Sequence, residues 1–269
     1  MRAHHFLRLG LFLALLTVLP PDIFGQGSGK WLTRAPMPSS RTEVAAVEFG
    51  GKIYVMGGFG QGGELVEEYD PANDRWRRRA PLPQPLHHVG AAAVAGKIYV
   101  IGGYVTGRGS VNSVYEYDPS LNQWRERAAM PTARGALAVG VIGEKIFAVG
   151  GVGTDGRNSS ANEEYDPLKD RWTKRASLPT PRDHLAIGVV GGKLYAIGGR
   201  VDGRHAKNLA VNEEYDLTTD SWRSRAIMPT ARSGIAAAGA VNADAIGVTI
   251  GLTIKRGAAL VGGLSTPAL

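Results

Sequence analysis

The chain of 269 residues contains no cysteine, so disulfide bonds are excluded and its stability must come from packing alone. Long apolar runs are also missing beyond the first 25 residues, which leaves no candidate transmembrane helix there. There is no nucleophile elbow, no phosphate-binding P-loop and no zinc-hydrolase motif. The aromatic residues follow a regular repeat and offer no stacking platform for single-stranded nucleic acid. What the chain does hold is 37 glycines and 15 prolines, a composition of many turns rather than long helices.

The opening segment stands apart. Arg2 and Arg8 precede an eleven-residue apolar stretch, Leu9 to Leu19, broken by Pro20-Pro21 and followed by small residues at Gly25, Gly27 and Ser28. This layout predicts a secretory signal peptide over residues 1–25, cleaved near Gly25–Gln26, and a secreted or periplasmic mature protein with no stable membrane anchor. Export without disulfides fits a bacterial periplasm or exterior better than a eukaryotic secretory route. Asn158-Ser159-Ser160 is a formal glycosylation sequon and reads in a bacterial protein as a polar loop.

Tryptophans recur at Trp31, Trp76, Trp124, Trp172 and Trp222, spaced by 45, 48, 48 and 50 residues. Each is followed at fixed offsets by Arg-Ala and then by proline. A glycine pair follows the first four, at Gly57-Gly58, Gly102-Gly103, Gly150-Gly151 and Gly198-Gly199, and a tyrosine sits seven residues before each later tryptophan, at Tyr69, Tyr117, Tyr165 and Tyr215. These residues resemble the kelch repeat over about residues 31–238. The resemblance implies an all-β, kelch-type β-propeller of four-stranded antiparallel blades. Residues 26–269 have room for about five units of 48. Blades are expected near 39–80, 84–128, 132–176 and 180–226. A divergent fifth would be built from 230–269 and closed by the N-terminal strand 29–35; the competing reading is a truncated longer propeller.

The local pattern agrees. Lys52–Met56, Lys97–Ile101, Lys145–Val149 and Lys193–Ile197 are apolar on both faces, as a strand covered on both sides must be. The glycine pair ends that strand, and Tyr and Trp are expected buried between blades. All length variation falls between the second glycine and the tyrosine, in Phe59–Leu65, Tyr104–Ser113, Val152–Asn162 and Arg200–Asn212. These loops share one face of the disc with the Pro-x-x-Arg turns, the usual layout of a recognition surface.

The net charge of +7 raises the question of an anionic partner. Twelve basic residues flank the tryptophans and are expected to guard exposed edge strands rather than to bind nucleic acid. The acidic pairs Glu67-Glu68, Glu163-Glu164 and Glu213-Glu214 are expected on the surface of the third strand. Ten residues after the tryptophans stand Arg41, Leu86, Arg134, Arg182 and Arg232. The arginines would either donate to a ligand or bond backbone carbonyls of the next blade; the second is favoured because an arginine here is common in the kelch pattern. At plus twelve stand His88 and His184, with Glu43, Ala136 and Gly234 at the equivalent places. The candidate ligand-binding set on the loop face is Arg41, His87, His88, Arg108, Arg134, Arg157, Arg182, His184, Arg204, His205 and Arg232. No metal site and no cofactor are expected, because His87-His88 and Asp202-x-x-His205 lack the spacing of a built site. Galactose oxidase, a kelch-type propeller, uses a tyrosine–cysteine crosslink that this chain cannot make. The expected function is a module binding protein or glycan through the loop face, with no catalytic residue assigned. The alternative is a sugar-modifying enzyme of the N-acetylneuraminate epimerase type.

Overall fold

Each repeat folds into one four-stranded antiparallel sheet. The computed structural model describes residues 32–60, 62–203 and 205–238. Blade 1 comprises Ala45–Phe49, Lys52–Met56, Val66–Asp70 and Arg75–Arg78; blade 2, Gly90–Val94, Lys97–Ile101, Val114–Asp118 and Gln123–Glu126. Blade 3 comprises Ala138–Ile142, Lys145–Val149, Asn162–Asp166 and Arg171–Lys174; blade 4, Ala186–Val190, Lys193–Ile197, Asn212–Asp216 and Ser221–Ser224. The strands of each blade pair in chain order, and the first strands of successive blades pack against one another. Among the described residues no helix is long and apolar enough to cross a membrane. The signal-peptide segment 1–25 lies outside the described residues, as does most of the expected closing blade, of which only 32–35 and 230–238 are described.

The repeat residues act between blades. Trp76, Trp124, Trp172 and Trp222 each donate Nε1–H to a carbonyl one repeat earlier, at Ala35, Ala80, Ala128 and Ala176, at 2.8 Å in all four cases. The same alanines donate N–H to Asp74, Asn122, Asp170 and Asp220 in the turn before each tryptophan. Those four turn residues have positive φ, from 46° to 55°, where Asp and Asn are the best tolerated side chains after glycine. Ala35 therefore does for blade 1 what the end of a fourth strand does for blades 2 to 4. At the other end, Gly199 donates to the Arg232 carbonyl as Gly58 donates to Leu86, so residues 228–234 enter as a following blade would. Both ends of the described chain thus make the contacts that a neighbouring blade makes elsewhere in the fold.

The tyrosines, not the tryptophans, are the fully buried aromatics: Tyr69, Tyr117, Tyr165 and Tyr215 are at most 1 % exposed, whereas the partnering tryptophans are half-buried. Each tyrosine lies directly across the strand pair from its tryptophan. The glycine pair has a steric reason. At Gly102, with φ of 61°, a Cβ would stand 2.5 Å from the Arg134 carbonyl oxygen of the next blade, and the neighbouring Gly103 N–H donates to that same oxygen.

The acidic pairs are buried, not on the surface as the sequence suggested. Glu67, Glu68, Glu163, Glu164, Glu213 and Glu214 are all at most 8 % exposed. Both faces of a propeller blade meet neighbouring blades, so consecutive residues on an inner strand are both covered. The second glutamate of each pair is neutralised by the basic residues beside the tryptophan: Arg77 holds Glu68, Arg175 holds Glu164, and Arg223 with Arg225 holds Glu214. Glu116 is held likewise by Arg125. Arg79 and Arg127 cross to the next blade, bonding Tyr117 and Tyr165. The flanking charges therefore build ion pairs as well as lining edges.

This burial makes stability depend on pH. Burial alone would raise the Glu214 carboxyl, but bonds from Arg223, Arg225, Tyr195 and Lys193 outweigh it and hold it at about 2, below the ordinary 4.5. The folded protein thus binds fewer protons here than the unfolded chain between those values. The contribution of Glu214 is fully present above pH 4.5 and is lost as pH falls from 4.5 through 2. Urea midpoints measured across that window should fall less steeply for Glu214→Gln than for the parent. Parallel curves would remove Glu214 from the account.

Candidate functional site

The variable connections fold back on the entry to their own first strand. Arg41 pairs with Gly60, His87 with Tyr104, Arg134 with Gly153 and Asp183 with Arg200. The loops and the entry segments therefore lie at one end of each blade.

At the centre of that end runs a chain of backbone hydrogen bonds. His88 donates to Glu43, Ala136 to His88, His184 to Ala136 and Gly234 to His184, at 2.9 to 3.1 Å. These are the plus-twelve residues of successive repeats, and every one has a left-handed φ, between 51° and 60°. Only glycine takes this conformation without cost, as Gly234 does; a non-glycine residue pays for it. In three of the five places the side chain is one that carries donors or acceptors.

Those three converge. Glu43 Oε2 lies 3.3 Å from His88 Nε2 and 3.9 Å from His184 Nε2, and the two imidazole rings meet edge to face at 5.0 Å. The histidine side chains are 13 % and 11 % exposed and the glutamate 42 %, so the carboxylate is the group offered to solvent. Behind them, the buried Asp183 accepts from His184 Nδ1, from Asn158 at 2.5 Å and from Arg200 Nε at 3.1 Å. Burial alone would raise the Asp183 carboxyl, but the bonds from His184 and Asn158 and the charge of Arg200 hold it below the usual range. Arg200 Nη2 stands 3.1 Å from His184 Nε2. With Nδ1–H given to Asp183, that Nε2 is an acceptor, and the guanidinium donates to it. His88 Nδ1 meets His87 Nδ1 at 2.7 Å. Burial, reinforced by the charges of His184, His87 and Arg200, pushes His88 down to about 3, so it is neutral at physiological pH.

An aromatic stack borders this cluster. Phe59 stacks on His87 with centroids 3.7 Å apart, and His87 on Tyr104 at 5.5 Å. Phe59 is 42 % exposed and caps the stack. Tyr104 reaches the next blade, where a Cβ on Gly135 would stand 2.3 Å from its ring.

The arginines of the sequence-derived set do not converge with this cluster. Arg41, Arg134 and Arg182 are buried and pair with Glu67, Glu163 and Glu213. Their side chains bond carbonyls of their own blade, Gly57 and Leu65, Ala148, and Ala196, not of the next one. It is the backbone carbonyls of Arg134 and Arg182 that reach the neighbouring blade. Arg108, Arg157 and Arg232 are exposed. Arg204 lies outside the described residues, and the His205–Lys207 backbone forms a short 3-10 turn. Of the set, His87, His88 and His184 are brought together. Glu43, Asp183, Arg200, Phe59 and Tyr104 were not in it, although Glu43 shares the repeat offset of the two histidines.

The KLHDC2/KLHL20/DRC7 Kelch-repeats domain model matches residues 28–177, and the Kelch motif model matches residues 181–229. No curated protein matches the chain. Among solved structures, that of YjhT is similar with a TM-score of 0.66 and 21 % identity, covering 77 % of this chain and 72 % of that one. That likeness carries the fold: an all-β propeller of four-stranded blades. With more than half of its length matched by one model, the chain belongs to the KLHDC2/KLHL20/DRC7 Kelch-repeats domain family.

Proposed function

We propose that the protein is an exported binding module that takes a saccharide at the centre of its loop face. A kelch propeller supports binding in general. The observation that carries the finer reading is the convergence of Glu43, His88, His184 and Arg200 beside the Phe59–His87–Tyr104 stack. Exposed carboxylate and neutral imidazole suit hydroxyl groups as partners, and aromatic faces suit the apolar C–H faces of a sugar ring. A few convergent polar groups beside apolar surface are what small-ligand recognition requires.

A glycan array followed by calorimetry on a hit tests this. Binding should weaken by at least about tenfold, roughly 1.4 kcal/mol, in Glu43→Gln and in Phe59→Ala, with the melting temperature of each close to the parent. An array without hits, alongside capture of a protein partner by the same face, would overturn the saccharide reading. For export, N-terminal sequencing of the mature chain should begin near Gln26; retention of Met1 would overturn it.

The His184–Asp183 pair supports a second reading, a sugar-modifying enzyme of the N-acetylneuraminate epimerase type. An imidazole oriented by a buried carboxylate is the arrangement of a general base. Anomer interconversion of sialic acid no faster than in buffer would remove it.

A further inference from the structure

We propose that Glu43, His88 and His184 form a site for one divalent transition-metal ion of the zinc class, set at the centre of the loop face. The three side chains present Oε2, Nε2 and Nε2, and one ligand atom from each lies within 4.8 Å of the others. Tetrahedral zinc with bonds of about 2.0–2.2 Å places its ligands about 3.3 Å apart. The Glu43–His88 separation already has that value, at 3.3 Å, and Glu43–His184 is 3.9 Å. Rotation of the Glu43 side chain shortens its distance to His184, and small turns of the two imidazoles bring their Nε2 atoms, already within 4.8 Å, to the same spacing. Two imidazoles and a carboxylate leave at least one coordination position open, on the solvent side where Glu43 is exposed.

The surroundings of the histidines match what a metal needs. A ligating histidine is held by a partner on its other ring nitrogen, most often a carboxylate. Asp183 takes the Nδ1 proton of His184 in this way, and Asp183 is itself fixed by Asn158 and Arg200. His87 meets Nδ1 of His88 and can accept its proton, freeing Nε2 toward the ion. The three ligands also come from three blades, so their mutual geometry is set by the bond ladder between Glu43, His88, Ala136 and His184.

One group competes with the ion. Arg200 Nη2 donates to the His184 Nε2 lone pair at 3.1 Å, and a cation there must displace it. Arg200 belongs to the connection between the second and third strands of blade 4, the most extended of the four such segments. The guanidinium is thus a rival at His184 Nε2, while its Nε helps to hold Asp183 in place.

The proposal is independent of the saccharide reading, because it is tested with the metal alone. The chain, carrying no polyhistidine tag, is titrated calorimetrically with zinc chloride, and cobalt(II) is followed by its visible absorption. One ion per chain is expected. His88→Gly and His184→Gly, which keep the left-handed backbone accessible as Gly234 does, should each weaken binding by more than about tenfold. Thermal melts of each variant establish that the fold is kept. No uptake by the parent chain, or uptake unchanged in both histidine variants, would each overturn the proposal.

Discussion

Arg134→Met is expected to destabilise the protein by about 3–5 kcal/mol. Arg134 is 0 % exposed and Glu163 1 %, and Nη2 lies 3.1 Å from the carboxylate and 2.8 Å from the Ala148 carbonyl. Burial pushes Arg134 down to about 10 against the pull of Glu163, so it stays charged at neutral pH. Removing the cation leaves a buried carboxylate to which, among the described residues, only Thr132 Oγ1 donates, at 2.7 Å. The pair itself is not the best solution for stability. Arg134 Nε and Nη1 have no hydrogen-bond partner among the described residues. Blade 2 shows the apolar alternative at the same two places: Leu86 stands for the arginine and Tyr115 for the glutamate, and both join one core cluster. Arg134→Leu combined with Glu163→Tyr should therefore recover most of the loss. Chemical denaturation of both proteins decides it: a single variant costing under about 1 kcal/mol, or a double variant no better than the single, would refute the argument.

The internal comparison shows why the repeat was readable and the site only in part. Tryptophan, tyrosine and glycine-pair spacings place strands because each residue type answers a local demand: a turn, a close approach, a filled gap. The second strands fall at Lys52–Met56, Lys97–Ile101, Lys145–Val149 and Lys193–Ile197, the ranges the apolar runs mark out. What local pattern does not carry is which neighbour covers each face. Glu67 and Glu68 look like a polar surface pair, yet one faces Arg41 and the other Arg77, with both buried. The exchange of Arg and Glu for Leu and Tyr in blade 2 was the visible trace of that pairing. The Glu43–His88–His184 convergence was visible as a shared repeat offset. Its consequence depends on the left-handed backbone ladder that turns those three side chains to one point. Asp183 and Arg200, separated by 17 residues, join only because the variable connection folds back on the strand entry.

Tyr165→Ala is expected to cost about 3–5 kcal/mol, from lost ring burial and the cavity left behind. The ring is 0 % exposed, packs on Trp172 at 5.0 Å within blade 3, and meets Tyr99 of blade 2 edge to face at 5.9 Å. Its hydroxyl accepts from Arg127 Nε at 3.0 Å and donates to Asp170 at 2.5 Å, so one side chain joins two blades by packing and by hydrogen bonds. Tyr165→Phe separates the two contributions. It keeps the ring and strips the hydroxyl, for a loss of about 1–3 kcal/mol. The fourth blade supplies the control. Tyr215 also donates to Asp220, at 2.6 Å, but the equivalent Arg175 turns to Glu164 instead. Tyr215→Phe therefore breaks one such bond where Tyr165→Phe breaks two, and it should be the milder substitution in paired urea melts. Equal losses at the two positions would mean that the arginine bridge between blades contributes nothing measurable.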